Sequence, residues 1–572
     1  MLKKVPFFVV ISLILIHNSI VGKSLLKEER LPTTSFSIPV NIPVSFSGNY
    51  GEIRATHFHS GVDIRVGGVV GESIISAGDG YISRISVSPT GYGNAIYINH
   101  PNGKTTLYGH LHDFAPHIQK FIREEQYNKN SFSINIELDS THFKVKKGDF
   151  IGRAGNSGSS GGPHLHFEVR ETISQIPMNP KDFINFKSPD NISPTIERVA
   201  FYAIDFENTL PQTSHIASFS GPTSQTILLP QKFYIAVQGV DRQNGTNARL
   251  AIKHYNYYLN DQLIFSFSPE NIPFSKGRYV NSILEYPQRN SFKRSMVKSW
   301  VEPGCGLTDN IISINEGIFI LDNFETKNLK IELIDHFNNK TTQIYKVKRD
   351  STINRFSDFN LERIDSNRIM PWYIPNRFIE DDIRVFLPQG SLYSSILLNY
   401  NKEIINGKDT WKVHNANTPI HNSYLLALKV DSVKDGLSDK LCIIALNPNG
   451  STSYVGGKYQ NGWIESRVSF FGNFQIAYDT IAPTITPSFS NGANLSSRNS
   501  VRITISDNLS GISEYNVYID NEWNLAEYDP KNRALNVHLS ADKLKKGKEH
   551  IMEIIVSDNR GNVNRLKRKF IW

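Results

Sequence analysis

The chain has 572 residues, of which 39% are hydrophobic and 20% are charged. This balance is typical of a globular protein, and the length exceeds what one hydrophobic core usually organises, so several domains are expected. The formal net charge of +8 is too small for this length to indicate a nucleic-acid partner, although it suits a partner that carries carboxylates or phosphates.

Residues 1–23 have the pattern of a secretory signal peptide. A basic start precedes the apolar run Val5–Ile16, and small residues follow near 21–24. The run is short for a membrane span and is interrupted by His17 and Asn18, so we favour a cleaved signal over a membrane anchor. No other apolar run is long enough to cross a bilayer. We therefore expect an exported protein with no transmembrane segment after signal removal.

Residues 24–188 are predicted to form a first, mainly β domain. Short alternating runs broken by turn residues indicate an antiparallel sheet. Two of these runs, Ala95–His100 and Thr105–Leu111, flank a four-residue segment with Asn-Gly at its tip, which predicts a hairpin. Apolar residues at helical spacing predict a short helix over His117–Asn128.

The segment PHLHFEVR, Pro163–Arg170, carries two histidines in a predicted strand. Side chains alternate along a strand, so His164, His166 and Glu168 share one face while the apolar residues between them face the core. The two imidazoles then lie about 7 Å apart at Cα. One can bind a metal ion while its neighbour transfers protons.

A second candidate segment is HSGVD, His59–Asp63. An extended strand would hold His59 and Asp63 about 13 Å apart, too far to share one ion. A bend at Ser60-Gly61 would fold His59 back towards Asp63, because glycine permits it. Together with His166, these residues would offer two nitrogens and one oxygen, a catalytic-type zinc set that leaves the fourth position open.

A third segment, YGHLH, spans Tyr108–His112 and closes the predicted hairpin. We expect His110 to leave the strand end on the same face as Tyr108 and His112. It would then lie opposite His164 as a second imidazole that accepts a proton or stabilises an oxyanion.

These motifs, in this order, resemble the lysostaphin- and LytM-type zinc metallopeptidases of bacterial cell walls. The resemblance covers about 36–170, roughly a quarter of the chain, and includes the connecting segments GESIISAGDGYISRI and VKKGDFIGRAGNSG. It implies an antiparallel sheet with a groove and peptidoglycan peptide bonds as substrate. It implies Zn²⁺ bound by His59, Asp63 and His166, with His110 and His164 as catalytic residues.

About thirty residues, Asp113–Val145, separate YGHLH from KVKKGD, and compact members of the family are shorter there. This insert holds the predicted helix and a strand-like piece, SFSINIEL. We expect it to form a wall or a cap over the groove.

The remaining chain is predicted to form three β domains: an Ig-like β-sandwich over 189–350, a β-rich domain over 351–478 and a second Ig-like β-sandwich over 479–572. Matched markers support two copies of one sandwich. DNISPTI (190–196) matches DTIAPTI (479–485), YNYYLN matches YNVYID, and each copy ends near a DxxxN turn. We expect these domains to bind a cell-envelope protein partner or to position the enzyme.

Only two cysteines occur, Cys305 and Cys442. They fall in different predicted domains, and we favour two separate buried thiols over a disulfide bridge.

The sequence thus predicts an exported zinc-dependent endopeptidase that hydrolyses peptide bonds of peptidoglycan, in a stem peptide or a cross-link, in the periplasm or at the cell envelope of a bacterium. Absence of an HExxH helix separates it from thermolysin-type enzymes. The alternative is a non-catalytic LytM-like scaffold that regulates another cell-wall hydrolase. A tail that serves mainly as an adhesion or glycan-binding array is a third interpretation.

Overall fold

The computed structural model describes residues 35–207, 209–353, 356 and 365–572. The predicted signal peptide lies outside these residues. The described chain is built mainly from antiparallel β-sheets, which confirms the predicted fold class. In the described ranges, no helix combines the length and apolar character needed to cross a membrane.

The first sheet has eleven strands in the order β1-β2-β10-β6-β5-β4-β7, with β3, β8, β9 and β11 paired to its members. Its strands are β1 (Phe46–Gly48), β2 (Val62–Arg65), β3 (Ser73–Ile75), β4 (Gly80–Val87), β5 (Asn94–Asn99), β6 (Lys104–Phe114), β7 (Ile134–Glu137), β8 (Lys144–Val145), β9 (Phe150–Ala154), β10 (His164–Glu171) and β11 (Pro177–Met178). Helix α1 spans Pro116–Asn128, and a 3-10 turn spans Pro180–Asp182.

The predicted hairpin and helix are confirmed. Strands β5 and β6 pair antiparallel, and Gly103 in the turn has a φ of 73°, a left-handed conformation that glycine adopts without strain. The helix starts at Pro116, one residue before the predicted start, because proline fits a first turn whose N–H groups need no partner. Its apolar face buries Ile118 and Ile122 in the core.

The insert enlarges the sheet instead of capping the groove. Strand β7 pairs with β4 at the edge farthest from β1, four strands away from β10. Among the described residues, no side chain of α1 or β7 forms a hydrogen bond with the five predicted site residues. The free face of α1 contacts the end of the chain instead: Arg123 pairs with Glu527 at 3.5 Å, and Tyr127 packs edge-on against Trp523.

The next unit is a pair of sheets, ordered β13-β12-β15-β18 with β20 paired to β15, and β14-β22-β21-β16-β17-β19. Its strands are β12 (Thr195–Glu207), β13 (Leu210–Phe219), β14 (Ile227–Leu229), β15 (Lys232–Val240), β16 (His254–Leu259), β17 (Gln262–Phe267), β18 (Val297–Lys298), β19 (Ile311–Ser313), β20 (Phe319–Ile320), β21 (Lys327–Ile334) and β22 (Lys340–Arg349). Helix α2 spans Tyr286–Phe292, and 3-10 turns span Phe274–Asn281, Thr308–Asn310 and Asn315–Gly317.

The following unit has two five-stranded sheets, β24-β25-β29-β33-β32 and β27-β28-β34-β30-β31, and a short pair, β23-β26. Its strands are β23 (Ile369–Met370), β24 (Asn376–Glu380), β25 (Ile383–Leu387), β26 (Ile396–Leu397), β27 (Tyr400–Ile405), β28 (Lys408–Val413), β29 (Tyr424–Lys429), β30 (Leu441–Leu446), β31 (Thr452–Gly456), β32 (Lys458–Gln460), β33 (Trp463–Val468) and β34 (Gly472–Tyr478). Turns of 3-10 type span Ser366–Arg368 and Ser438–Lys440.

The last unit again pairs two sheets, β35-β37-β41-β40 and β36-β43-β42-β38-β39. Its strands are β35 (Thr484–Pro487), β36 (Ala493–Asn494), β37 (Ser500–Ser506), β38 (Ile512–Ile519), β39 (Glu522–Trp523), β40 (Ala526–Asp529), β41 (Ala534–His538), β42 (Glu549–Asp558) and β43 (Val563–Ile571), with a 3-10 turn at Pro530–Asn532.

The sandwiches that start at β12 and at β35 share a strand plan. In both, the second sheet opens with a rare parallel pair, β14 with β22 and β36 with β43, and continues through equivalent antiparallel strands. The predicted internal repeat is therefore visible in the topology. Each sandwich has its own buried core. The exact domain boundaries remain a prediction. Cys305 and Cys442 are both buried and unpaired.

Candidate metal centre

Three side chains that are distant in sequence meet at one end of strands β2 and β10. Nε2 of His59 lies 3.0 Å from Nδ1 of His166 and 3.0 Å from Oδ1 of Asp63, and the last two atoms are 2.9 Å apart. All three residues are buried. Strand pairing creates this meeting, because Asp63 and His166 are direct partners in the β2–β10 ladder.

The predicted bend before β2 brings His59 to this point. The chain turns at Gly61 and enters β2 at Val62. A Cβ atom at Gly61 would lie 2.2 Å from the carbonyl oxygen of Phe167, so only glycine allows β2 to approach β10 this closely. Main-chain hydrogen bonds with Gly51 and Glu52 hold His59 in place.

The ring nitrogens of His59 and His166 that point away from the centre form hydrogen bonds, and these bonds determine where each ring carries its proton. Nδ1 of His59 lies 2.8 Å from the carbonyl oxygen of Asn49, and Nε2 of His166 lies 2.7 Å from Oε1 of Glu168. Both oxygens only accept, so each neutral ring places its proton on the outer nitrogen and turns a lone pair inward. Without a metal ion, the hydrogen bonds and charges of Asp63 and Glu168 outweigh burial and raise the pKa of His166 to about 9, so His166 holds a second proton that faces Asp63. A cation bound between His59, Asp63 and His166 would take the place of that proton.

Asp63 can offer only one oxygen to that cation. Its Oδ2 accepts a hydrogen bond of 2.9 Å from Arg54, which also pairs with Glu52 at 3.0 Å. Burial opposes ionisation of Asp63, but His59 and the hydrogen bonds from His164 and His166 hold the pKa of its carboxyl well below the usual range. The carboxylate is therefore charged and ready to bind a metal ion.

The donor set fits zinc. Tetrahedral zinc with bonds of about 2.0–2.1 Å holds its ligands about 3.3 Å apart, close to the three edges seen among His59, Asp63 and His166. Imidazole nitrogen and carboxylate oxygen are both common zinc ligands, and sites with three protein ligands keep one position for substrate or solvent. The residues present can thus hold this ion with small adjustments.

Glu168 links the centre to the rest of the domain. Its side chain is fully buried, and Oε1 accepts hydrogen bonds from Ser60 (2.6 Å), Tyr92 (2.7 Å) and His166. Its Oε2 accepts one of 2.6 Å from Arg170. Burial opposes ionisation, but Arg170 and His166 hold the pKa of Glu168 well below its usual range. The carboxylate fixes the tautomer and orientation of His166.

His110 reaches the centre by a route that differs from the prediction. Tyr108 faces the core, where its hydroxyl accepts a hydrogen bond of 2.8 Å from the main-chain N–H of Ala77, and His112 is exposed. His110 therefore does not share a face with them. Simple alternation would send His110 to the core side, but its φ of 59° and a register shift between β5 and β6 turn its ring towards His164 and His166.

The ring of His110 lies with its centroid 4.9 Å from that of His164 and 5.7 Å from that of His166. Its Nδ1 donates to the carbonyl oxygen of Ser157 at 2.8 Å, which leaves Nε2 as a lone-pair acceptor. Burial, and then the positive charge that His166 and His164 can carry, lower the pKa of His110 to about 3. His110 is therefore neutral near pH 7.

His164 is the most exposed of the four rings, with 15% of its side chain accessible. Its Nδ1 donates to the carbonyl oxygen of Gly162 at 2.8 Å, and its Nε2 lies 3.4 Å from Oδ1 of Asp63. The five residues singled out in the sequence are thus brought together. Arg54, Tyr92 and Glu168 complete the arrangement; of these, only Glu168 had been placed on the site face, by strand alternation.

The glycine-rich loop between β9 and β10 flanks His110 and His164. Ser159 exchanges two hydrogen bonds with Gly91, and Gly158, with a φ of 67°, packs so closely on Gly93 that neither residue could carry a Cβ atom. The loop is therefore anchored at its centre. Lys531, from the last sandwich, donates to the carbonyl oxygens of Asn156 and Ser160 in the same loop.

Comparison with known protein families agrees with this geometry. Residues 57–127 and 129–180 match the model of Peptidase family M23, and residues 367–479 match that of a Zu5-like domain. All five predicted site residues fall inside the first match.

Two curated relatives are similar over this region. The DD-carboxypeptidase/endopeptidase Mpg of Neisseria meningitidis is 34% identical over 128 residues, which cover 22% of this chain and 23% of the relative. The peptidoglycan DD-endopeptidase ShyC of Vibrio cholerae is 32% identical over 131 residues, which cover 23% of each chain. The match thus spans about a quarter of the relatives' length.

Solved structures that align with this region include the catalytic domain of the prophage-encoded M23 protein EnpA from Enterococcus faecalis (25% identity, 24% of this chain and 89% of that one, TM-score 0.18). The catalytic domain of lysostaphin from Staphylococcus simulans also aligns (25% identity, 24% of this chain and 90% of that one, TM-score 0.18).

Proposed function

We propose that this chain, in which residues 57–127 and 129–180 form a domain of peptidase family M23, is a zinc-dependent endopeptidase that hydrolyses peptide bonds of peptidoglycan. One observation carries the proposal. Three potential ligand atoms, from His59, Asp63 and His166, lie within 3.0 Å of one another, and the outer ring nitrogens of both histidines already form hydrogen bonds. The name of one relative, the peptidoglycan DD-endopeptidase ShyC, supports the substrate class.

His59, Asp63 and His166 would hold the zinc ion. When bound, the ion supplies a Lewis acid that polarises a carbonyl oxygen and lowers the pKa of water to about 7. Arg54 occupies Oδ2 of Asp63, so Asp63 would bind the ion through Oδ1 alone as a monodentate ligand. Glu168 keeps the ring of His166 oriented with Nδ1 directed inward. These contacts pre-set the ligands, so little reorganisation is needed when the metal binds.

His110 and His164 would handle protons beside the scissile bond. His110 is neutral, and its Nε2 can only accept, so it suits the orientation of a water molecule and the removal of its proton. His164 is partly exposed and can exchange a proton with solvent, so it suits delivery of a proton to the leaving amine or stabilisation of the oxyanion. The loop carbonyls of Ser157 and Gly162 fix both rings.

The scaffold alternative is not favoured, because all five positions carry chemically competent side chains in one cluster. An exported enzyme at the cell envelope suits the proposed substrate, and the bond that is cleaved, in a stem peptide or in a cross-link, is part of what digestion would reveal. The three β units after the peptidase domain would position the enzyme or bind a cell-envelope protein.

The test is digestion of purified peptidoglycan by the full chain, loaded with zinc, followed by mass analysis of the released fragments. We expect wild type to release peptide fragments and His166→Ala to release none. His142→Ala is a matched control, because His142 is exposed and its ring pairs with Asp139 nearby. This variant should digest peptidoglycan as wild type does. Fragment release by His166→Ala, or none by folded, zinc-loaded wild type, would reject the proposal.

A further inference from the structure

Two groups of three aspartates lie outside the candidate metal centre. Cluster A is Asp190, Asp241 and Asp335, and cluster B is Asp479, Asp507 and Asp558. Within each cluster, one carboxylate oxygen from every member lies within 4.8 Å of the others. Two of the three members are buried in each case. Neither cluster has a part in the proposed peptidase reaction.

The clusters occupy the same place in the two sandwiches that share a strand plan. The first aspartate precedes the Pro-Thr that opens the first strand. The second aspartate directly follows the strand that pairs with this first strand. In cluster A, Thr195 pairs with Val240, which precedes Asp241; in cluster B, Thr484 pairs with Ser506, which precedes Asp507. The third lies at the end of a strand of the other sheet. Three chain segments therefore deliver one carboxylate each to the same end of both sandwiches.

An asparagine supports each cluster in the same way. Asn339 in the first sandwich and Asn562 in the second each donate to the main-chain carbonyl of the first aspartate, at 3.2 and 3.0 Å. Each also donates to Oδ2 of the third aspartate, at 2.8 and 2.7 Å. The segment of the first aspartate and the carboxylate of the third are thus tied together before any ligand binds.

Several carboxylate oxygens in the clusters are buried but lack a partner. Asp241 is 2% exposed, and its Oδ1 has no hydrogen bond within the described part of the chain. Oδ2 of Asp190 in cluster A and Oδ1 of Asp507 in cluster B are also buried atoms without a partner, although both residues are only half-buried. A buried carboxylate oxygen without a donor is costly, so a positive group placed among the three carboxylates would stabilise each cluster.

Protein cations do not supply that group. None of the ion pairs within 4.0 Å among the described residues involves a member of either cluster. Lys181 is near enough to interact with the charges of cluster A, but its ammonium lies over the ring of Phe337, 3.6 Å from the centroid. Burial, with Asp335 and Asp190 alongside, raises the pKa of Asp241 to about 8, which reflects the crowding of negative charge.

We propose that each cluster binds one calcium ion. The ligands are oxygens only, from three carboxylates, which suits a hard cation and disfavours zinc or copper. Calcium accepts six to eight oxygens in flexible geometry, whereas magnesium demands a near-octahedral set and keeps several waters. The remaining positions would be filled by main-chain carbonyls or water.

Calcium at these places would stiffen the joints between domains. Asp190 belongs to the segment that connects the peptidase domain to the first sandwich, and Asp479 directly follows β34 of the preceding unit. In each case the ion would bind the incoming segment to two strands of the sandwich it enters. The angle at which each sandwich leaves its neighbour would then depend on calcium.

The test is calcium binding by the full, zinc-loaded chain in excess magnesium, measured by equilibrium dialysis with radioactive calcium. We expect two ions per chain for wild type, one each for Asp241→Asn and Asp507→Asn, and none for the double variant. Asp431→Asn, a change at an exposed aspartate outside both clusters, should still bind two. No binding by folded wild type at millimolar calcium, or two ions bound by the double variant, would overturn the proposal.

Thermal unfolding separates lost binding from lost folding. Calcium should raise the melting temperature of wild type, and neither cluster variant should gain as much. In chelator, Asp241→Asn and Asp507→Asn should melt no lower than wild type, because each removes one of three crowded like charges. A variant that melts well below wild type in chelator would show that the aspartate serves the fold itself, which contradicts a vacant cation site.

Discussion

Nε2 of His166 donates a hydrogen bond of 2.7 Å to Oε1 of Glu168, two residues along the same strand. The two side chains share one face of β10, and the carboxylate is fully buried beneath the candidate metal centre. A candidate metal ligand and the group that orients it are therefore carried by a single short strand.

Replacing Glu168 tests this relationship. Glu168→Gln keeps an acceptor oxygen but removes the charge that holds the tautomer of His166 and that pairs with Arg170. We expect zinc affinity to fall by about 10- to 100-fold, measured by competition with a chelator. Glu124→Gln, at an exposed position of α1, is the control and should bind zinc normally. Unchanged affinity in Glu168→Gln would show that the carboxylate does not orient the ligand.

A change at His110 should separate proton transfer from metal binding. We choose His110→Asn, because asparagine tolerates the left-handed conformation at this position. Activity on peptidoglycan should fall by about 10²–10⁴-fold while zinc affinity stays near that of wild type. If the variant lost its zinc as well, His110 would belong to the ligand set and its assigned role would be wrong.

The close approach at Gly61 should be sensitive to a single methyl group. Gly61→Ala places a Cβ atom against the carbonyl oxygen of Phe167, so β2 must move away from β10 and carry Asp63 with it. We expect activity to fall by about 100-fold, since small displacements of catalytic groups have effects of this size. Gly161→Ala, which meets open space, is the matched control and should retain activity.

The spacing of HSGVD and PHLHFEVR was enough to predict that His59, Asp63 and His166 converge, because strand alternation and one bend fix their directions. The position of His110 could not be predicted in the same way. A register shift and one left-handed residue reverse the alternation of β6, and neither leaves a clear signal in YGHLH. The sequence did not predict that Arg54 and Tyr92 lie at the site, because both belong to irregular segments whose course depends on tertiary packing.

In the tail, the repeated DNISPTI and DTIAPTI segments predicted two copies of one sandwich, and the matching sheet orders agree with them. The acid clusters could not be predicted from these segments alone. Asp241 and Asp507 follow strands that have no shared motif, so only the folded sheets reveal that they join the other aspartates. The insert was expected to form a wall or a cap over the groove. Its strand β7 instead pairs with β4, where the sheet edge offers free hydrogen-bonding groups.

Stability of the middle unit should depend on pH through His414. The N–H of Asn399 donates to Nδ1 of His414 at 3.3 Å, and Nε2 lies 3.0 Å from Oγ1 of Thr418, so the ring is held neutral. Burial lowers the pKa of His414 from 6.5 to about 4. The unfolded state therefore binds more protons between these values, and stability is lost as pH falls from about 6.5 to 4.

We expect the free energy of local opening in residues 376–478 to fall by at most about 3 kcal/mol across this range, measured by hydrogen exchange and mass spectrometry. His414→Asn suits the left-handed backbone there and has no titrating ring, so it should flatten the dependence. Exchange in the last sandwich of the same sample is the internal reference. An equally steep profile in the variant would assign the effect to another group.

Lys531 should restrain the glycine-rich loop beside His164. Lys531→Ala removes the donors to the carbonyl oxygens of Asn156 and Ser160, so hydrogen exchange in residues 155–163 should become faster. Overall stability should change by less than about 1 kcal/mol, because the contact lies at the surface. Lys545→Ala, at an exposed position of the same sandwich, should leave the loop unchanged. Equal exchange in both variants would contradict the restraint.

The contact between Lys531 and Ser160 joins residues 371 positions apart in the sequence. During synthesis the domain that carries the candidate metal centre leaves the ribosome first, and its loop acquires this contact only after nearly all of the chain has been translated. A product shortened by early termination or by a protease before residue 531 would carry all five candidate site residues, yet its loop would lack the hydrogen bonds from Lys531. Only the complete chain therefore holds this loop through a residue of its last sandwich.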